Sequence, residues 1–341
     1  MRSRRLRLVG TMLCRLCLLS MACWATVALL YSNLPVLARP WAAAGFGSAS
    51  LAALLGRYSD RRSTLGFLVA FAAVLGWWLH MPPSNSRNWQ PDVAVLPWSE
   101  QRGNRIVIHN IRNCEYRSKT DYTVRHYDAS FDLADLQSVD LFVVHWGSPY
   151  IAHTMLSFGF GKGGYVCVSI ETRKEAGEAY SSFKGFFRQY ELTYVIADER
   201  DLVGLRTNHR GEEVYLYRIK AAPELIREVF LDYLREVNSL KERPQWYNAL
   251  TGNCTTGMRG HTVPYAPSRL DWRLVVNGYL DEMLYEKKLI DTSLPFPELK
   301  RRALINRRAQ GLDTSPEFSR LIRTGIPGTG VSQTMSSSQT P

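Results

Sequence analysis

Acidic residues are almost missing from the start of this chain. Residues 1–82 hold one, Asp60, against nine arginines: Arg2, Arg4, Arg5, Arg7, Arg15, Arg39, Arg57, Arg61 and Arg62. Of the 42 basic and 31 acidic residues in the whole chain, 33 and 30 lie beyond that point, so the net charge of +11 belongs mostly to the N-terminal segment. The excess concerns membrane topology rather than phosphate binding, and no nucleic-acid partner is expected. Cysteine is scarce as well. Cys14, Cys17 and Cys23 lie in the first apolar stretch, which leaves Cys114, Cys167 and Cys254 for the rest. That is an odd number, without CxxC spacing or a nearby histidine pair, so neither structural zinc nor another metal or cofactor is expected. In an oxidising compartment a Cys114–Cys167 bond would leave Cys254 free; otherwise Cys167 fills a strand interior. No internal repeat interrupts this pattern.

Long apolar runs are plentiful. Residues 9–31 are apolar apart from Arg15, enough to cross about 30 Å of hydrocarbon as a helix. A signal peptide starts similarly, but this run is longer than its usual core and more apolar segments follow. Residues 64–81 form a second segment ending in Trp77-Trp78, and residues 40–56, shorter and rich in small residues, read as a marginal spanner or a re-entrant piece. Two crossings would return the chain to its starting side. The arginine clusters before residue 9 and at Arg57, Arg61 and Arg62 both belong in the cytoplasm, which requires the middle segment to cross. The sequence therefore predicts a three-helix anchor over residues 1–83 and a domain on the periplasmic side of a bacterial inner membrane.

Residues 84–324 read as that domain, of α+β class with an antiparallel sheet and flanking helices. Strands are expected at 105–112, 140–146, 151–160, 165–173, 193–197 and 214–219. The glycine-rich turn around Lys162 joins two of them as a hairpin. Residues 223–240 carry Ile226, Val229, Phe230, Tyr233, Val237 and Leu240 at helical spacing, and Pro244 stops that helix. Further helices are expected at 271–287 and 297–309, with Ser315 capping a last one. Residues 325–341 read as a disordered tail.

The stretch that carries chemistry is Tyr247–Met258, YNALTGNCTTGM. Cys254 there opens a short helix, where the dipole and unpaired N–H groups favour thiolate. A thiol enzyme needs a base and a third group that fixes the base's tautomer. His145 ends an all-apolar strand, where a hydrogen-bonded structural histidine is expected. His153 opens a strand beside the Gly147-Ser148-Pro149 break and faces a cleft rim. Across the hairpin centred near Lys162, Glu171 falls opposite His153, with Ser169 on the same face. Glu171 either accepts from the imidazole or pairs with Arg173 or Lys174. The N–H of Cys254 and the side chain of Asn253 are candidate oxyanion donors; Asn253 equally serves as the helix cap.

A histidine on one strand, a polar residue on the next, then Asn-Cys at a helix start is the reverse of the papain order. The pattern resembles the permuted papain-like (NlpC/P60-like) superfamily. More closely, WGSPYIAHTMLSFGF, SIETRKE, QYELTYVIADERD, TNHRGEEVYLY and NALTGNCTT, in this order, resemble the N-terminal periplasmic domain family of Lnb, a bacterial lipoprotein N-acyltransferase. The resemblance implies Cys254 as the acyl-accepting nucleophile, His153 as its base and Glu171 as orienter. It departs in one respect: Lnb carries its membrane helices after this domain, whereas here they precede it.

The expected function is a membrane-anchored cysteine acyltransferase or acyl hydrolase, with a membrane lipid or lipoprotein as substrate and the bilayer as partner. Its rivals are a cysteine peptidase or amidase on cell-wall peptides, and a non-enzymatic envelope scaffold in which Cys254 is structural. Two motifs remain unassigned. The aromatic run Phe183, Phe186, Phe187 and Tyr190 either packs in a core or meets acyl chains. Lys300, Arg301, Arg302, Arg307 and Arg308 form either a solvated face or an anionic-lipid contact.

Overall fold

The structure, a computed structural model, describes residues 2–32, 34–55, 60–267, 269 and 271–331, the side chains of 2–8 excepted. It divides into two units: Met1–Ser84 with Tyr180–Glu191, and Asn85–Ala179 with Leu192–Pro341.

The first unit is built on three helices, α1 (Arg2–Leu30), α2 (Arg39–Leu55) and α3 (Arg61–His80). Asp60 caps α3 by accepting from the Ser63 N–H. Buried Ala22, Ala25 and Ala28 on α1 and Ala43 and Ser50 on α2 let backbones approach closely, as apolar helices require where no water drives them together. Phe67 and Leu54 fill the space beside Ala22. Two of the three helices, over Val9–Leu30 and Arg61–His80, are long and apolar enough to cross a membrane. At 17 residues α2 is about 25 Å long, shorter than the other two.

The second unit is an α+β sandwich around one sheet. Its strands are β1 (Trp98–Arg102), β2 (Arg105–Arg112), β3 (Glu115–Tyr116), β4 (Tyr122–Thr123), β5 (His126–Asp132), β6 (Ser138–His145), β7 (Ala152–Gly159), β8 (Tyr165–Arg173), β9 (Glu191–Ala197) and β10 (Glu213–Arg218). The main sheet runs β1-β2-β9-β8-β7-β6-β10, with β5 also on β2, while β3 and β4 form a separate hairpin. Registered pairs are antiparallel except β2 with β9. β6 explains the unbroken apolar run in the sequence: both its faces are covered. Val139, Leu141 and Val143 face one core with Phe158, Val168 and Ile170, whereas Phe142 and Val144 face the other with Met155 and Cys167.

Helices complete both layers: α4 (Glu199–Gly204), α5 (Pro223–Glu242), α6 (Cys254–Thr262), α7 (Leu280–Glu286), α8 (Phe296–Ala303), α9 (Asn306–Ala309) and α10 (Phe318–Leu321). The first core takes Ile226, Phe230, Tyr233 and Val237 of α5, and the second takes Ala309 and Phe318 of α9 and α10. Two expected helices are broken. Residues 271–287 become two short 3-10 turns and α7; residues 297–309 break at Leu304, which bridges to Tyr215 of β10. The expected tail is also corrected in part. Gly325 N–H bonds Val331 O, Ile326 is buried, and fully buried Arg323 just before it pairs with Asp140 and Glu199 at 2.8 and 2.6 Å. Residues 332–341 lie outside the described residues. Among the described residues all six cysteines are free.

Candidate active site

The β7/β8 hairpin sets the geometry. Its ladder runs from Gly159↔Tyr165 to Met155↔Ser169 and stops there. Continued by two residues it places His153 against Glu171, the pairing read from the turn position. The contact is not direct: His153 Nε2 and Glu171 Oε1 are 3.8 Å apart. The Ser169 hydroxyl stands between them, 2.7 Å from His153 Nε2, and donates to Glu171 Oε1 at 2.8 Å. A hydroxyl that donates to the carboxylate is free to accept, so the imidazole proton resides on Nε2 and Nδ1 is left as the basic nitrogen. Arg206, buried behind this chain, donates to the same Glu171 oxygen at 2.9 Å. Burial alone would raise the Glu171 pKa; the Arg206 charge, helped by His153, holds it well below the usual carboxylate range.

Beyond Met155↔Ser169 the edge of β7 has no strand partner, and other groups fill it. Alternate residues of a strand aim their backbone groups the same way, so Ala152 and Thr154 share this edge. The Asn277 carboxamide pairs with both groups of Ala152, accepting from its N–H at 2.8 Å and donating to its C=O at 2.6 Å. It also donates to Thr255 Oγ1 at 2.6 Å. The Thr154 hydroxyl lies 3.4 Å from Oγ1 of Thr255, the residue after Cys254. One buried side chain therefore joins the neighbour of His153 to the neighbour of Cys254. The backbone around Asn277 must come very close for this: a Cβ on Gly278 would lie 2.0 Å from Pro149 O.

Cys254 is the first residue of α6, capped by Asn253 through the Thr255 and Thr256 N–H groups in a capping box. Asn253 Nδ2 donates to Ala249 O. Its carboxamide thus holds the turn, the capping role also expected of it. The N–H of Cys254 itself precedes the intrahelical ladder and remains the candidate. The far end of α6 is fixed by His261, bonded to Asp232 Oδ2 of α5 at 2.8 Å and Tyr194 Oη of β9 at 2.7 Å. Its flank lies tight on β8, where a Cβ on Gly257 would meet Ile170 Cδ1 at 2.8 Å.

The three domain cysteines divide electrostatically. Burial pushes the Cys114 thiol up to about 12 and Cys167 well above its ordinary value. Burial acts on Cys254 in the same direction, but the charge and hydrogen bond of His153, with bonds from Thr154, more than offset it. The thiol comes down to about 7. A thiol with a pKa near neutrality beside a tautomer-fixed imidazole has the parts of a nucleophile and base.

His145, expected to be hydrogen-bonded in a strand end, leaves its Nε2 without a partner and packs edge-on to Tyr215. It lines a cleft of about 700 Å³ with Trp146, Arg210, Glu213, Tyr279 and Lys300. Lys300 pairs there with Asp281 at 2.9 Å, while Arg301 and Arg302 pair with Glu298, so these members of the C-terminal basic run are engaged within the domain. Sequence reasoning missed Asn277, Thr154 and Arg206. The Asn277-Gly278 pair inside a supposed helix was the available signal, since that dipeptide marks a turn. Nothing local announces the other two.

Residues 122–278 match the family model described as the Lnb N-terminal periplasmic domain. The match begins after the apolar helices and takes in His153, Ser169, Glu171, Cys254 and Asn277. No curated protein and no solved structure matches the chain.

Proposed function

We propose, for this membrane-anchored chain with an Lnb-type periplasmic domain, a cysteine acyltransferase or acyl hydrolase acting on lipid or lipoprotein acyl groups. The observation that carries the reading is the hydrogen-bonded chain His153–Ser169–Glu171, closed by Arg206, together with a Cys254 thiol that the charge of His153 lowers. A buried thiol brought down to about 7 while two other buried thiols are pushed up is not the behaviour of a packing residue.

In the proposed cycle His153 Nδ1 takes the thiol proton and the thiolate attacks an ester carbonyl carbon. The oxyanion forms at the N–H of Cys254 and, as the ester C–O bond breaks, the imidazolium returns its proton to the leaving alcohol. The resulting thioester is attacked by an amine or by water; His153 takes that proton, and the thiolate leaves as the new amide or acid forms. Glu171, kept ionised by Arg206, stabilises the imidazolium through Ser169. His153 before Cys254, on strand and helix start respectively, supports a permuted papain-like arrangement. The arginine clusters support three membrane crossings, with α2 included, and a domain facing the periplasm of a bacterial inner membrane. Such an anchor holds the thiol at high effective concentration beside acyl chains.

The cleft next to His145 favours attention to one rival. Its lining of Arg210, Glu212, Glu213 and Lys300 suits a polar group, either the amine acceptor or a peptide. The full-length chain in proteoliposomes, given an alkyne-bearing phospholipid, is expected to acquire a hydroxylamine-sensitive label on Cys254 that Cys254→Ala lacks. Cleavage of cell-wall peptides with no lipid label would favour the amidase, and neither result would leave the scaffold.

A further inference from the structure

The excursion between β8 and β9 does not pack as part of the sheet. Tyr180–Glu191 belongs to the helical unit. The Phe187 ring lies 6.5 Å from Trp24 and 6.2 Å from Tyr31, and Phe183 lies 6.2 Å from Tyr31. Arg188 donates from Nη1 to the carbonyls of Trp78, Leu79 and Met81 at 2.7, 3.0 and 3.3 Å, and its guanidinium sits 4.2 Å over the Trp78 ring. Those carbonyls lie where α3 runs out of intrahelical donors. Arg188 adopts φ 55° in this arrangement, a conformation uncommon outside glycine. The excursion is therefore seated on the ends of α1 and α3.

Burial then sorts its aromatic residues. Phe187 and Tyr190 are buried, whereas Tyr180, Phe183 and Phe186 remain 46, 55 and 43 % exposed. Between them stands Lys184, its ammonium 5.5 Å over the Tyr31 ring. Trp24 is six residues before the end of α1, about 9 Å along its axis, so Phe187 reaches well below the helix end. Exposed aromatics with interspersed cations, at the helix ends that also carry Tyr31, Trp77 and Trp78, match the composition of a membrane–water interface. In water the exposed faces of the same three rings would form an apolar patch.

We propose that Tyr180, Phe183 and Phe186 form an interfacial anchor that enters the headgroup–acyl boundary of the bilayer crossed by α1 and α3, with Lys184 at the phosphate level. The proposal rests on the membrane-anchored reading and goes beyond it, because it assigns a membrane contact to a segment embedded in the domain's own sequence. The excursion is joined in sequence to β8 and β9, and Glu171 lies on the strand that leads into it.

The test is photo-crosslinking of the full-length chain in phosphatidylethanolamine–phosphatidylglycerol liposomes, with benzoylphenylalanine replacing Phe183 or Phe186. Val69, 64 % exposed on α3, is the bilayer control and Glu100, on β1, the control for the other unit. Phe183 and Phe186 are expected to gain one phospholipid mass, as Val69 does and Glu100 does not. Lipid adducts at Val69 with none at Phe183 and Phe186, or adducts there only to protein, would overturn the interfacial anchor and leave the helices in place. Absence of lipid adducts at Val69 as well would overturn both readings together.

Discussion

Replacing His153 with glutamine keeps a polar side chain of similar reach but removes the titrating ring, and the consequence for Cys254 can be worked through. The thiol stands at about 7 against an ordinary 9.0. Two decades of proton affinity correspond to roughly 2.7 kcal/mol favouring thiolate. That figure is the surplus of His153 and Thr154 over burial, which pushes the other way, so without the ring the thiol should titrate above 9.0 rather than merely return to it. The lowered pKa means that thiolate is present above about 7 in the native chain and is lost as pH falls through that value. The assay is alkylation of Cys254 by iodoacetamide, followed peptide by peptide in a mass spectrometer across the neutral and alkaline range. The rate midpoint is the readout rather than the rate at one pH. Taking 9.0 as the lower bound for the variant, the thiolate fraction at pH 7 falls by at least about 50-fold while a more basic thiolate attacks faster by about eightfold, so the net change is at least about sixfold. A native midpoint at or above 9, or the same midpoint in both chains, would refute the reasoning.

Three further outcomes are expected. Asn277→Ala leaves both backbone groups of Ala152 unpaired in a buried place, at about 1–3 kcal/mol for each unsatisfied group, so thermal unfolding should fall by several degrees. The Cys254 alkylation midpoint should rise with it; a midpoint still near 7 would show that Asn277 does not hold thiol and imidazole together. Ser169→Ala removes the acceptor for the Nε2 proton, and turnover should drop about tenfold, the worth of one good hydrogen bond, with the fold intact by circular dichroism. Arg206→Gln removes the largest charge that opposes burial at Glu171, leaving His153, Arg112 and the Ser169 hydroxyl to oppose it, so the carboxyl pKa should rise. An acid limb should then appear in the pH–rate profile at weakly acidic pH, where the native carboxylate stays ionised; an unchanged profile would remove Glu171 from the chemistry.

Much of this was legible because it is local. The bounds of β2 and β8 match the alternation of apolar residues, and α5 matches its helical stripe and Pro244 stop. The position of the turn at Lys162 sufficed to align His153 with Glu171, since a hairpin's register follows from its loop. β1 and β5 went unread because only Phe131 among their residues is buried, which leaves little apolar alternation to detect. The helix expected over 271–287 hid the Asn277 turn, as its apolar spacing outweighed one Asn-Gly pair.

By itself, then, the sequence determined the membrane-proximal charge asymmetry, the hairpin, the capped helix start at Cys254 and the residue types able to do thiol chemistry. Each of these is written within a few neighbouring positions. Only the tertiary structure decided that Ser169 stands between imidazole and carboxylate, that Arg206 keeps Glu171 ionised and that Asn277 fills the edge of β7 where its pairing with β8 stops. Those outcomes depend on which backbone groups remain unpaired once strands and helices have packed, and unpaired groups are filled by whatever the fold brings near, however distant along the chain.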